Sequence, residues 1–258
     1  MTTHPRHPRI VESLRRAGRV DVLELAADLG TSEITIRRDL DQLAAQGILR
    51  RVRGGAVSLM MRGDELPFGL RELESSPAKQ LIAARVAELL IDGEAVIVDS
   101  GTSGLAVARA LAHHRGTVLP LSLPAADALA DHPSVTLVMP GGSVRAGERT
   151  FVGPLTEATL ASLRFDTYVL SVCGFSVAHG VTAHDLQDRA VKQAAMAASA
   201  RTIAVADGAK FAITAMGVVC RADEVDILVT DDSVPREELD AVEAAGVDVQ
   251  VCATGVLA

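Results

Sequence analysis

The sequence predicts a small α+β winged helix-turn-helix domain followed by an α/β domain with a mostly parallel, Rossmann-like sheet. Charge asymmetry is the first sign. Residues 1–58 hold ten arginines against seven acids, about +3, while the 258-residue chain is −8, so the remainder carries about −11. The second sign is a pair of short amphipathic helices joined by a glycine-containing turn and followed by a basic ribbon. The third is the alternation, after Pro77, of short branched-rich apolar runs with helical stretches, the pattern of βαβ units.

Residues 1–8 read as a loose arm, and Arg9 to Ala17 as a first helix ended by Gly18. Asp21 can cap a helix from Val22 to Leu29 with Val22, Leu25, Ala26 and Leu29 inward. Gly30-Thr31 is the turn. Ser32 caps the next helix, in which Ile36, Leu40 and Leu43 recur at i, i+4, i+7, and Gly47 closes it. The opposite face carries Thr35, Arg38 and Gln42, side chains suited to base edges or phosphates in a DNA major groove. Arg37 lies four residues from both Glu33 and Asp41, so intrahelical pairs are an alternative to DNA for it. Ile48 to Ser58 is the wing, with Arg50, Arg51 and Arg53 around a Gly54-Gly55 turn. With Ser32, these residues form the candidate DNA-binding set.

The segments Gly18-Arg-Val, Glu24-Leu-Ala, Thr35-Ile-Arg-Arg-Asp-Leu40, Gly47-Ile-Leu-Arg-Arg51 and Gly54-Gly-Ala56 resemble the N-terminal winged helix-turn-helix of the DeoR family of bacterial transcription regulators. The resemblance implies sequence-specific binding to double-stranded operator DNA, usually as a repressor of a sugar or related catabolic operon.

Residues 59–77 lack steady periodicity and read as a linker between domains 1–58 and 78–258. Ala78 to Ile91 is a helix with Ile82, Val86 and Leu89 or Leu90 inward. Strands are expected at Ala95 to Asp99, Val118 to Ser122, Val135 to Met139, Tyr168 to Cys173, Ile203 to Asp207, Ile227 to Thr230 and Val247 to Cys252. Helices are expected at Gly104 to His113, Ala125 to Leu129, Leu155 to Leu163, Asp185 to Ala200 and Arg236 to Ala245.

In an open parallel sheet, ligands sit at the carboxyl ends of the strands. Asp99-Ser100-Gly101-Thr102-Ser103-Gly104 joins a strand to a helix start there. Its glycines admit backbone amides to an anion, and its hydroxyls and helix N-terminus favour negative charge. Gly141-Gly142 follows the third strand. Lys210, one of only three lysines against 22 arginines, falls at a later strand end. Such turns are also Gly- and Ser-rich for geometry alone. We take Asp99, Ser100, Gly101, Thr102, Ser103, Gly104, Gly141, Gly142, Asp185 and Lys210 as the candidate effector set, with Asp99 and Asp185 receiving sugar hydroxyls.

Asp92-Gly-Glu94, Val98-Asp-Ser-Gly-Thr-Ser103, Gly141-Gly142, Val152-Gly-Pro154, Gly180-Val-Thr182, Asp185, Val191-Lys192, Asp207-Gly-Ala-Lys-Phe211 and Val229-Thr-Asp231 resemble the DeoR-type sensor domain, which shares its fold with ribose-5-phosphate isomerase-like proteins. That resemblance implies binding of a phosphorylated sugar or similar small anionic metabolite, and a homo-oligomer, dimer or tetramer. The chain departs from the family at Pro120-Leu121-Ser122, where a polar Thr-Asn pair is usual, and at Ser103, where a threonine is usual.

Other classes fit less well. Aromatics are only 2%, so no stacking platform for single strands is present. No apolar run reaches membrane length and no secretory h-region opens the chain, so no membrane partner and a cytoplasmic location are expected. Cys173, Cys220 and Cys252 form no C-x-x-C pair, and His179 and His184 are a poor ligand spacing, so neither a metal nor another cofactor is expected. No local spacing shows a catalytic base, and a regulator that is not an enzyme is expected. The alternative is a sugar-phosphate isomerase-like enzyme carrying a DNA-binding appendage.

Overall fold

The computed structural model describes residues 6–45, 47–59, 68–73 and 76–255. Two compact units divide the chain, 1–74 and 75–258. Residues 1–5 of the expected arm, and 60–67 and 74–75 of the expected linker, lie outside the described residues.

The first unit runs α1 (His7–Ala17), β1 (Arg19–Asp21), α2 (Val22–Asp28), α3 (Glu33–Ala45), β2 (Leu49–Val52), β3 (Gly55–Ser58) and α4 (Phe68–Leu73). Asp21 caps α2 by accepting from the Leu23 amide at 2.7 Å. Ser32 caps α3 by accepting from the Thr35 amide at 3.2 Å. The strands form an antiparallel sheet in the order β1-β3-β2. Strand β1 is too short for its alternation to show in the sequence. Gly55 is required where β3 crosses β1, because a Cβ there would lie 2.0 Å from the Val20 carbonyl oxygen. One apolar core joins Ile10, Leu14, Val22, Leu25, Ile36, Leu40 and Leu43. Leu70 of α4, inside the stretch expected as linker, is fully buried in that core.

The second unit runs α5 (Ser76–Leu89), β4 (Ala95–Val98), α6 (Gly101–Ala110), β5 (Gly116–Pro120), α7 (Leu123–Leu129), β6 (Val135–Leu137), β7 (Ser143–Arg145), β8 (Thr150–Val152), α8 (Pro154–Ser162), β9 (Phe165–Ser171), β10 (Gly174–Ser176), β11 (Gly180–Ala183), α9 (Leu186–Ala198), β12 (Ser199–Val205), β13 (Gly217–Cys220), β14 (Ile227–Asp231), α10 (Arg236–Ala244) and β15 (Asp248–Cys252). Seven strands make a sheet, parallel at every pairing, in the order β15-β14-β12-β9-β4-β5-β6. Their alternate side chains feed two cores, one on each face. The chain runs outward from β4 to β6, then returns to build the other half from β9. The connections therefore part between β4 and β9, the topological switch point of the sheet. The β7–β8 hairpin and the antiparallel β10-β11-β13 sheet are additions to the parallel plan that the strand pattern did not announce.

Candidate functional site

In the first unit, helix α3 divides into a held face and a free face. Asp39, on the inner side, is 4% exposed and accepts from Arg6 Nε at 3.0 Å, with His7 Nε2 3.4 Å away. This buried anchor fixes the rotation of α3, and with it the outer face. Arg38 and Gln42 are exposed there. Thr35 is half-buried and shares a hydrogen bond of 2.9 Å with Ser32 Oγ.

The candidate arginines separate by partner. Arg37 pairs with Glu33 at 3.1 Å, one of the two partners open to it, while Asp41 turns instead to Arg51. Arg51 Nε donates to Asp41 at 2.8 Å, and Arg51 Nη1 to the Gly55 carbonyl at 2.8 Å. Arg51 thus ties the wing to α3. Arg50 on β2, and Arg53 at the tip between β2 and β3, are exposed.

In the second unit the strand ends at the switch point hold a buried polar cluster. The Asp99 carboxylate follows β4 and is 1% exposed. Its Oδ1 accepts from the Ser100 amide at 2.7 Å, and its Oδ2 from the Ser171 amide at 2.9 Å and from Lys192 Nζ. Lys192, on α9, also donates to the Ser171 carbonyl at 3.0 Å and lies 3.5 Å from Asp188, one turn earlier on the helix. Burial acts to lower the Lys192 pKa, but Asp188 and Asp99 outweigh it and hold the group well above the ordinary lysine value, as the charged ammonium. Burial first, then the Asp99 and Asp188 carboxylates, push the Tyr168 phenol well above its ordinary value. Tyr168 Oη and Ser171 Oγ are buried without a hydrogen-bond partner.

Helix α6 begins directly after this cluster at Gly101, three residues before the expected start at Gly104, so Gly101–Gly104 form its first turn. Gly104 permits the approach: a Cβ there would lie 2.0 Å from the Asp99 carbonyl and 3.5 Å from Ser171 Oγ. The glycine pair lies against α8, where Thr156 Oγ1 donates to the Gly141 carbonyl at 2.9 Å. Asp185 is the N-cap of α9, its Oδ1 accepting from the Gln187 and Asp188 amides at 2.9 Å each. Lys210 lies in a short 3₁₀ turn after β12, two strands from β4, and its neighbour Phe211 packs on Phe175. The structure therefore brings Asp99, the Ser100–Gly104 turn and α9 together, and places Lys210 in a turn that packs on β10. At the family departure, Leu121 is buried in the core and Ser122 caps α7, so that rim is apolar.

Lys192, Asp188, Tyr168 and Ser171 were not singled out from the residues alone. The available signal was Lys192 itself: one of three lysines, four residues after an acid on an amphipathic helix.

A family model for the DeoR-like helix-turn-helix domain matches residues 6–61, and one for the DeoR C-terminal sensor domain matches residues 74–232. The chain belongs to the DeoR family. It is similar to a putative aga operon transcriptional repressor of Escherichia coli O157:H7, at 29% identity over 96% of this chain and 93% of that one. It is also similar to a glycerol-3-phosphate regulon repressor of Haemophilus influenzae, at 32% identity over 88% and 89%. Among solved structures, ribose 5-phosphate isomerase A from Methanocaldococcus jannaschii matches 52% of this chain and 53% of its own at TM-score 0.39 and 12% identity. Among the described residues of this DeoR-family regulator, no helix is long and apolar enough to cross a membrane.

Proposed function

We propose that this chain is a cytoplasmic repressor of a carbohydrate-derivative catabolic operon. In this reading it binds operator DNA through α3 and the wing, and a small anionic metabolite, a phosphorylated sugar, controls it from the β4/β9 crevice. The observation that carries the reading is the free face of α3: Arg38 and Gln42 stay exposed because Asp39 is anchored from beneath. Arg38, Gln42 and Thr35 would read bases, and Arg37, Arg50 and Arg53 would take phosphates. Arg51 would act by positioning the wing. The effector would lie on the Ser100–Gly104 turn, with Gly141-Gly142 and Asp185 at its rim.

The enzyme alternative fares worse on geometry. An isomerase needs a base with a lone pair facing substrate. Beside the Ser100–Gly104 turn, Asp99 already accepts from two amides and Lys192, and Lys192 is held by two carboxylates and a carbonyl.

Oligomerisation completes the reading, since one winged helix contacts a single half-site. The exposed apolar side chains Val177, Leu186, Met216 and Val218 around the β10-β11-β13 sheet suit a second copy. The test is fluorescence anisotropy of the full chain on DNA from its own upstream region and on scrambled DNA, with light scattering of the same samples. Salt-dependent preference for the upstream DNA by a species larger than 27 kDa is expected. Equal affinity for both DNAs, or a monomer on and off DNA, contradicts the proposal.

A further inference from the structure

The crevice beside Asp99 is poorly suited to an anion as it stands. Asp99 and Asp188 both approach Lys192 there, so its ammonium is already committed to two carboxylates. Lys210 lies two strands away. The reading of an anionic effector, on which this inference rests, therefore requires another cation.

The β7–β8 hairpin supplies one. It is fastened to the end of β5, the neighbour of β4: the Phe151 amide donates to the Leu121 carbonyl at 2.9 Å, and the Leu123 amide to the Arg149 carbonyl at 2.9 Å. From there it leans to the N-terminus of α9, where an Arg145 guanidinium nitrogen lies 3.8 Å from Asp185 Oδ2. That is beyond hydrogen-bond length, and Arg145 Nε is buried without an acceptor. Asp185 sits one helical turn from Asp188, whose Oδ1 is 3.5 Å from Ser100 Oγ. Turn, α9 terminus and hairpin are thus successive neighbours at the carboxyl end of β4, and Ser171 Oγ, also unpartnered, lies beside Gly104. The hairpin turn also holds Arg149 at φ +56°, a left-handed conformation that non-glycine residues adopt at a cost.

We propose that Arg145 is the guanidinium that takes the effector's phosphate, and that Asp185 is a latch which occupies Arg145 until the phosphate displaces it. A guanidinium fork matches a phosphate with two parallel hydrogen bonds, which a carboxylate at 3.8 Å does not provide. Asp185 keeps its Oδ1 on the α9 amides throughout and loses only the weak pair at Oδ2.

The experiment is calorimetry on the full chain with ribose 5-phosphate, fructose 6-phosphate and glycerol 3-phosphate, each beside its dephosphorylated counterpart. Wild type, Arg145→Gln, Arg145→Lys and Asp185→Asn are compared, with circular dichroism to verify folding. Arg145→Gln is expected to weaken the phosphorylated probe at least about tenfold, and Arg145→Lys to recover only part of that. Asp185→Asn keeps the cap and removes the competing charge, so it is expected to bind about threefold or more tightly. If wild type takes none of the phosphorylated probes in preference to its counterpart, the effector reading fails and Arg145 with it. If wild type binds but folded Arg145→Gln binds equally, only the Arg145 assignment falls. Equal weakening by Asp185→Asn and Arg145→Gln overturns the latch.

Discussion

Lys192 shows at the residue scale how an ammonium is kept in a protein interior. Its desolvation is offset by two carboxylates and a carbonyl, and removing it would leave Asp99 and Asp188 buried together. Lys192→Met is therefore expected to cost about 3–5 kcal/mol of folding stability, read by urea denaturation, while Asp99→Asn with Lys192→Met recovers part of it. A Lys192→Met variant as stable as wild type contradicts the account of the cluster. Cys220 gives a pH prediction. Burial, then Glu224, push its thiol from 9.0 up to about 12. The folded chain prefers the protonated thiol and the unfolded thiol ionises first, so this contribution is complete below pH 9 and is lost as pH rises towards about 12. Thermal melts from pH 8 to 11 should show a decline that Cys220→Ala makes shallower, and an unchanged slope would contradict it.

At the scale of elements, α3 is positioned by Arg6 and Asp39, which lie 33 residues apart in the chain. Arg38→Ala should weaken operator binding by about 1–3 kcal/mol while barely changing affinity for random DNA, and equal losses on both would refute its base-reading role. Such helices were legible in the sequence because cap residues and a 3.6-residue period leave local traces: Asp21, Ser32, Ile36, Leu40 and Leu43 all fall where that pattern puts them. The parallel strands were legible as apolar runs bounded by turns. The β7–β8 hairpin and β13 were not, because strands of three and four residues are too short to show an alternation. For the same reason the proposed effector site is only half legible. The Gly-rich turn at Ser100–Gly104 is a local feature, whereas Lys192 meets Asp99 through α9 and Arg145 meets Asp185 through the hairpin, contacts of 93 and 40 residues' separation that no local spacing records.

The whole molecule joins a basic reading unit to an acidic sensing unit, and repression needs the state of one to reach the other. A ligand can do this only by binding one arrangement of the assembled chain more tightly than another, and the coupling is then reciprocal. In the latch proposal, the Arg145–Asp185 pair is what a ligand would exchange for its own phosphate. An anisotropy titration of the full chain on its own operator, with and without a saturating sugar phosphate identified by calorimetry, measures this coupling. A shift of about fivefold or more in operator affinity is expected, the usual scale of such coupling, and Arg145→Gln should need about tenfold or more ligand to produce it. An operator affinity unchanged by a ligand that demonstrably occupies the crevice would contradict it.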